Sequence, residues 1–176
     1  MLRYLVVIFL ISSSVNANNY HVFGIGFFDF ELDEDLQGNN FATDYKYELR
    51  LDDVIYKIGP EQDNFFYLKP TFGIEYTSDS ASYLSAGIYL EDNLGKLFTG
   101  SKNKYNFTPS FNIGYFDEGQ GKKLGSCIQF RTTFEVSRTL KNENRIGISL
   151  GHISNANTGE RNPGAEIITL SYQIPF

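Results

Sequence analysis

Strict alternation of apolar and polar residues runs through most of the chain. Phe66, Leu68, Pro70, Phe72, Ile74 and Tyr76 fall on one parity, against Tyr67, Lys69, Thr71, Gly73 and Glu75 on the other. Leu84, Ala86, Ile88 and Leu90 repeat the pattern, as do Tyr105, Phe107, Pro109, Phe111, Ile113 and Tyr115. Ile128, Phe130, Phe134 and Val136 share a parity that only Thr132 interrupts, and Tyr45, Tyr47, Leu49 and Leu51 oppose Lys46, Glu48, Arg50 and Asp52. A period of two is the mark of a β-strand with two chemically different faces. With an irregular, glycine-containing strand over Tyr20–Phe30 and two final segments, the pattern predicts eight strands of roughly ten to fourteen residues. Turn-rich breaks separate them at 33–43, 59–64, 77–80, 92–104, 117–125, 141–144 and 156–163. No segment of helical period competes with these strands.

The polar parity decides between two all-β architectures. It carries Lys46, Glu48, Arg50, Glu75, Arg131, Glu135 and Arg145 among Gly, Ser and Thr. Such a face suits either the solvated side of a secreted sandwich or the filled interior of a small barrel. The strands exceed the roughly five to six residues usual in globular sheets. Tyr and Phe recur near strand ends, as in interfacial girdles. The last strand closes as Tyr172-Gln173-Ile174-Pro175-Phe176, and a terminal Phe resembles the assembly signal of bacterial outer-membrane barrels. We therefore expect an eight-stranded antiparallel transmembrane β-barrel of the bacterial outer membrane. Both termini then lie at the periplasmic rim, and the break at 156–163 is the last outer loop.

Composition refines this picture. Met1-Leu2-Arg3, the apolar run Leu5–Ile11 and the small residues Val15 and Ala17 read as a secretory signal over residues 1–17, leaving 18–176 as one barrel domain. The apolar run is far shorter than the ~20 residues of a membrane helix. A net charge of −6 argues against nucleic acid as a partner. The single Cys127 cannot form an internal disulfide. No His/Cys cluster suggests a metal centre, no glycine-rich phosphate loop precedes a helix, and no cofactor is expected.

Reactive residue types gather in the last hairpin. His152 and Ser154 continue the apolar parity of Ile146, Ile148 and Leu150, and Glu166 continues that of Ile168, Leu170, Tyr172, Ile174 and Phe176. All three are therefore expected on the outer wall. A hairpin symmetric about Gly159 sets His152 opposite Glu166, where directly opposed Cβ atoms lie ~4.5–5.5 Å apart. A carboxylate can then hold one imidazole nitrogen while the other reaches Ser154, which supplies the nucleophile, base and orienting acid of a hydrolase triad. From Glu166 to the C-terminus the strand rises about 33 Å at ~3.3 Å per residue. Tilted by ~45°, it spans roughly 23 Å, close to the ~25 Å apolar band of an outer-membrane barrel. Glu166 is thus expected near the outer interface.

His152-x-Ser154-Asn155-Ala156, followed by Asn162-Pro163-Gly164-x-Glu166 shortly before a C-terminal strand, resembles the lipid A 3-O-deacylase family of PagL type. The resemblance implies an eight-stranded outer-membrane barrel that hydrolyses the ester-linked acyl chain at the 3-position of lipid A. It implies Ser154, His152 and Glu166 as the catalytic residues. It also implies an oxyanion hole from Asn155 and a backbone N–H at Asn157. The partners would be lipopolysaccharide in the outer leaflet and the membrane itself, and a homodimer is compatible with such a barrel. Asn155 has the opposite parity to Ser154, so this role requires the strand to bend or end there.

Other features carry less. His21 starts the first strand and is expected at the periplasmic interface, away from Ser154. Asp33-Glu34-Asp35 falls in an outer loop, where it is either a solvated acidic run or a binder of divalent cations. Two further functional readings stay open on sequence grounds. One is a non-enzymatic barrel with a structural or surface-attachment role, and the other is a different outer-membrane lipid esterase.

Overall fold

A computed structural model describes residues 19–30, 41–58 and 66–176. The leader expected over residues 1–17, the acidic triplet at 33–35 and the turn at 59–64 lie outside the described residues. The strands are β1 (Tyr20–Phe28), β2 (Ala42–Arg50), β3 (Tyr56–Ile58), β4 (Phe66–Thr77), β5 (Ser82–Tyr89), β6 (Asp92–Asn93), β7 (Tyr105–Asp117), β8 (Ile128–Thr139), β9 (Arg145–Ser154) and β10 (Ala165–Pro175). Eight of them form a closed antiparallel meander in the order β2-β1-β10-β9-β8-β7-β5-β4, and β2 pairs with β4 to complete the ring. The two short extras, β3 and β6, extend the hairpins at the rim that also holds the described N- and C-terminal residues.

Two faces follow from the alternation. The outer wall exposes Phe23, Ile25, Tyr45, Phe72, Ile74, Leu84, Phe111, Ile113, Phe134, Ile148, Leu150 and Leu170. So continuous an apolar belt is incompatible with water and suited to lipid. The inner face buries Lys46, Glu48, Arg50, Glu75, Arg131, Glu135 and Arg145, the set expected from parity. Arg50 donates to Glu135 at 2.7 Å and to Glu48 at 2.5 Å, and Lys46 lies 3.5 Å from Glu48. Arg131 pairs with Glu75, and Arg145 with Glu91. Ser171 and Gln173 add hydrogen bonds to Glu135 at 3.1 and 2.7 Å. These contacts link β2, β4, β8 and β10 across the lumen. The cavities beside this network have volumes of about 10 Å³, room for a single water.

Toward the rim of the β9–β10 hairpin the filling changes from charge to hydrocarbon. Phe28, Ala42, Ala81, Tyr83, Phe116, Leu124, Ile153, Ala165 and Ile167 form one buried cluster. Two departures from the sequence reading have local causes. Within the break at 92–104 lies a short helix, Leu94–Thr99. Asn93 caps its start and Gly100, at φ 73°, ends it in the left-handed conformation that glycine adopts without a Cβ clash. It is too short to give a helical period. The strand β3 prolongs the first hairpin of that rim beyond the barrel wall, through pairing of Tyr56 with Leu68.

Glu135 accepts from three side chains in a buried setting, so its loss strands the Arg50 charge. Glu135→Leu is expected to destabilise the barrel by about 3–5 kcal/mol, read from denaturant unfolding of the protein refolded in lipid vesicles. A cost under about 1 kcal/mol would show that the network is not structural.

Candidate active site

Strands β9 and β10 pair in the register expected from symmetry about Gly159. His152 stands directly opposite Glu166, and Ile153 opposite Ala165. The inward members of the pair lock it in place. Ile153 is fully buried, and Ala165 and Ile167 sink into the same apolar cluster. Because side chains alternate, anchoring these residues inside fixes His152, Ser154 and Glu166 outside. Half or more of the His152 and Glu166 side chains is exposed, at 50 % and 58 %.

Nδ1 of His152 lies 2.9 Å from Oε1 of Glu166, so a proton on Nδ1 donates to the carboxylate. Glu166 thus pairs with His152. The far nitrogen, Nε2, is left as an acceptor on the outer wall. Ser154 sits on the same parity at the end of β9, half-buried, and its Oγ makes no hydrogen bond among the described residues. The structure therefore joins His152 to Glu166 and places Ser154 on their face without a direct bond to the ring. Across the other edge of β9, Phe130 pairs with Ser154 and Thr132 with His152. Thr132, the polar interruption in an apolar parity, is thus the lateral neighbour of the histidine.

Gly164 also shapes the site. A β-carbon there would lie 2.8 Å from Cε1 and 3.3 Å from Nε2 of His152, and the residue has φ +65°. The imidazole occupies the space that any side chain at 164 would take. In the sequence Gly164 is only a member of the Asn162-Pro163-Gly164 motif, and its packing under the ring becomes visible in the coordinates.

Asn155 is held by the neighbouring loops. The strand ends at Ser154, yet Asn155 still turns inward and is fully buried. Its Nδ2 donates to the Leu124 carbonyl at 2.8 Å and to the Arg161 carbonyl at 2.6 Å. Both amide hydrogens are therefore committed away from the outer wall. Its backbone N–H is also taken, by Oδ1 of Asn162 at 2.9 Å. Asn155 ties the loop 155–162 to the neighbouring outer loop. Beyond it the chain reverses through Ala156 and Asn157, at φ 52° and 61°. The N–H of Asn157 has no hydrogen-bond partner among the described residues. His21 lies at the opposite rim, where it contacts the Tyr47 hydroxyl at 2.9 Å and stacks on the terminal Phe176 ring at 4.1 Å. No group of metal-ligating side chains occurs among the described residues.

A filled barrel with a histidine–carboxylate pair on its apolar outer wall defines a class, the membrane-facing barrel with a candidate hydrolytic site. The fold is similar to that in "Crystal structure of the outer membrane enzyme PagL", with a TM-score of 0.65 and 16 % sequence identity over 89 % of this chain and 99 % of that one. The family model "Lipid A 3-O-deacylase (PagL)" matches residues 67–175, and the chain belongs to that family. "Lipid A deacylase PagL" of Bordetella bronchiseptica (strain ATCC BAA-588 / NCTC 13252 / RB50) is 40 % identical over 55 residues. That alignment spans 31 % of this chain and 31 % of the relative's own length.

Asn155→Ala removes the donor to two loop carbonyls. It is expected to cost about 1–3 kcal/mol of local stability. The readout is faster amide hydrogen exchange in residues 155–162, with exchange in β9 unchanged. Equal exchange in the loops of both proteins would show that the two contacts do not hold the loop.

Proposed function

We propose that this protein is an outer-membrane lipid A 3-O-deacylase acting from the outer face of its barrel on lipopolysaccharide in the outer leaflet. The carrying observation is the His152–Glu166 contact on a lipid-facing wall, with Ser154 on the same parity two residues along. Family membership supplies the substrate class, and the relatives' names supply the reaction. The charged side chains packed inside the barrel are consistent with this reading, because they leave the apolar surface on the outer wall.

The reaction follows the logic of nucleophilic acyl transfer. Glu166 holds His152 with Nδ1–H toward the carboxylate, which leaves Nε2 to take the proton of Ser154. Oγ of Ser154 then adds to the ester carbonyl at the 3-position. The tetrahedral oxyanion is met by the N–H of Asn157, whose unusual backbone angle leaves it unpaired. Asn155 acts by fixing the loop that presents this N–H, and its side chain is a positioning group. Collapse breaks the bond to the sugar oxygen, which takes the proton from His152 and leaves as an alcohol. The acyl group stays on Ser154. Water, deprotonated by His152, then releases the fatty acid and restores the serine. Glu166 stays ionised throughout and stabilises the imidazolium.

The position of the site matters as much as its chemistry. A lipid-anchored ester diffuses in the plane of the leaflet and meets the wall of the barrel sideways. Phe130, beside Ser154, and Leu150, two residues before His152, present apolar surface to its chains.

Expression in a Gram-negative host, followed by mass spectrometry of lipid A, tests this reading. Loss of one hydroxyacyl chain is expected with the native chain. Ser154→Ala and Glu166→Ala should lower the rate by about 10⁴-fold while the barrel still folds. Unchanged lipid A with the native chain, or full activity of Ser154→Ala, contradicts the assignment. Gly164→Ala gives a finer check. Displacing the imidazole by about 1 Å is expected to lower the rate roughly 100-fold, with little effect on substrate binding.

A further inference from the structure

At the rim opposite the site, the connection between β5 and β7 is built with unusual care for a turn. Asn93 Oδ1 accepts from the N–H of Lys96 at 3.4 Å and of Asn103 at 2.8 Å, and its Nδ2 donates to the Asn103 carbonyl at 2.8 Å. Oδ1 of Asn103 accepts from Tyr105 N–H at 2.8 Å, and Thr99 Oγ1 donates to the Gly95 carbonyl at 2.8 Å. Gly95 packs so tightly against Asn103 that a β-carbon would lie 2.7 Å from its side-chain carbon. All this polar structure holds up the helix Leu94–Thr99, which presents Leu97 and Phe98 outward. Phe98 is 82 % exposed, more than any other large apolar residue described.

Basic residues cluster in sequence and on the facing strand at the rim that carries this helix. Lys96 lies on the same helix, and the exposed Lys102 and Lys104 follow it. Arg138 lies directly across from Tyr105 on β8, and Lys104 accepts a backbone bond from Thr139 through its carbonyl. None of these four cations forms an ion pair among the described residues. Of the acids before the helix, Glu91 pairs with Arg145, while Asp92 accepts the N–H of Asn93 and keeps its charge. A chain of net charge −6 thus carries four cations without an ion pair among the described residues at the rim that holds Phe98, the most exposed large apolar residue described. The helix leads into β7, whose lipid-facing parity begins at Tyr105.

We infer that the helix Leu94–Thr99 is an interfacial anchor that inserts Phe98 into the leaflet at the rim opposite the site and recruits anionic phospholipid through Lys96, Lys102, Lys104 and Arg138. An apolar wedge at a rim rich in basic residues matches a surface of acyl chains below anionic headgroups. The anchor fixes the depth of that rim. Through the rigid wall it also fixes the depth of the distant hairpin in the other leaflet. It concerns binding alone, and stands whether or not the wall carries hydrolysis.

The chain contains no tryptophan, so Phe98→Trp introduces a single clean fluorophore. The full chain is refolded into vesicles of phosphatidylcholine and phosphatidylglycerol in which one lipid or the other carries brominated acyl chains. Leu84→Trp, on the apolar wall, reports lipid contact without charge. The Phe98→Trp emission is expected to be quenched in both mixtures. Quenching by brominated phosphatidylglycerol should reflect about fivefold local enrichment per engaged cation. Adding Lys102→Gln and Lys104→Gln should weaken the anionic preference while quenching itself persists. Emission that bromine does not quench would place the ring in water and overturn the anchor. Equal quenching by both lipids would overturn the anionic recruitment. Quenching that varies with protein concentration at fixed lipid would assign the face to a second copy and overturn the proposal.

Discussion

The structure depends on a lumen filled by its own charges. Arg50 bridges Glu48 and Glu135, and Ser171 and Gln173 complete the acceptor set of Glu135, so strands from opposite sides of the ring hold each other through side chains. Buried ions of this kind gain little net stability over hydrocarbon, but removing one partner is costly. Their consequence here is geometric. With charged side chains packed inside, the apolar surface suited to lipid among the described residues is the outer wall. The charge network also stops short of the rim near the site, where Ile153, Ala165 and Ile167 take over in an apolar plug. These inward residues alternate with His152, Ser154 and Glu166, so the same strand that seals the lumen aims the reactive side chains at lipid.

Much of this was legible from period two alone. The parity of Lys46, Glu48, Arg50, Arg131 and Glu135 placed them inside, and the coordinates bury them all. Parity also put His152 and Glu166 on the outer wall, and hairpin symmetry paired them. What parity could not supply was the behaviour of the chain where it ceases to be a strand. Asn155 keeps the inward direction after β9 ends, and its amide goes to the Leu124 carbonyl, 31 residues away in sequence. That contact arises from two loops meeting in space, and no local pattern encodes it. Gly164 was illegible for a similar reason, since the ring that requires its missing β-carbon lies across a strand pair. The helix at Leu94–Thr99 escaped because its six residues are too few to show a period.

The two rims divide the labour. One carries the hairpin whose loop is tied to its neighbour by Asn155. The other carries the terminal Phe176 stacked on His21, and the capped helix with its exposed phenylalanine. A rigid wall between them makes depth a shared property, so whatever sets the height of one rim sets the height of the other. On the proposed function, the ester lies at a fixed level in a leaflet, and height decides whether Ser154 reaches it.

The central claim is that nucleophilic chemistry takes place at Ser154 on the lipid-facing wall. Its most direct test is covalent mapping with a long-chain alkyl fluorophosphonate presented in the membrane, whose P–F bond is displaced by an activated serine oxygen. A single phosphonyl adduct is expected on the peptide containing Ser154, lost when His152 is replaced by Ala. An adduct on another serine, or labelling of Ser154 that persists without His152, would contradict it.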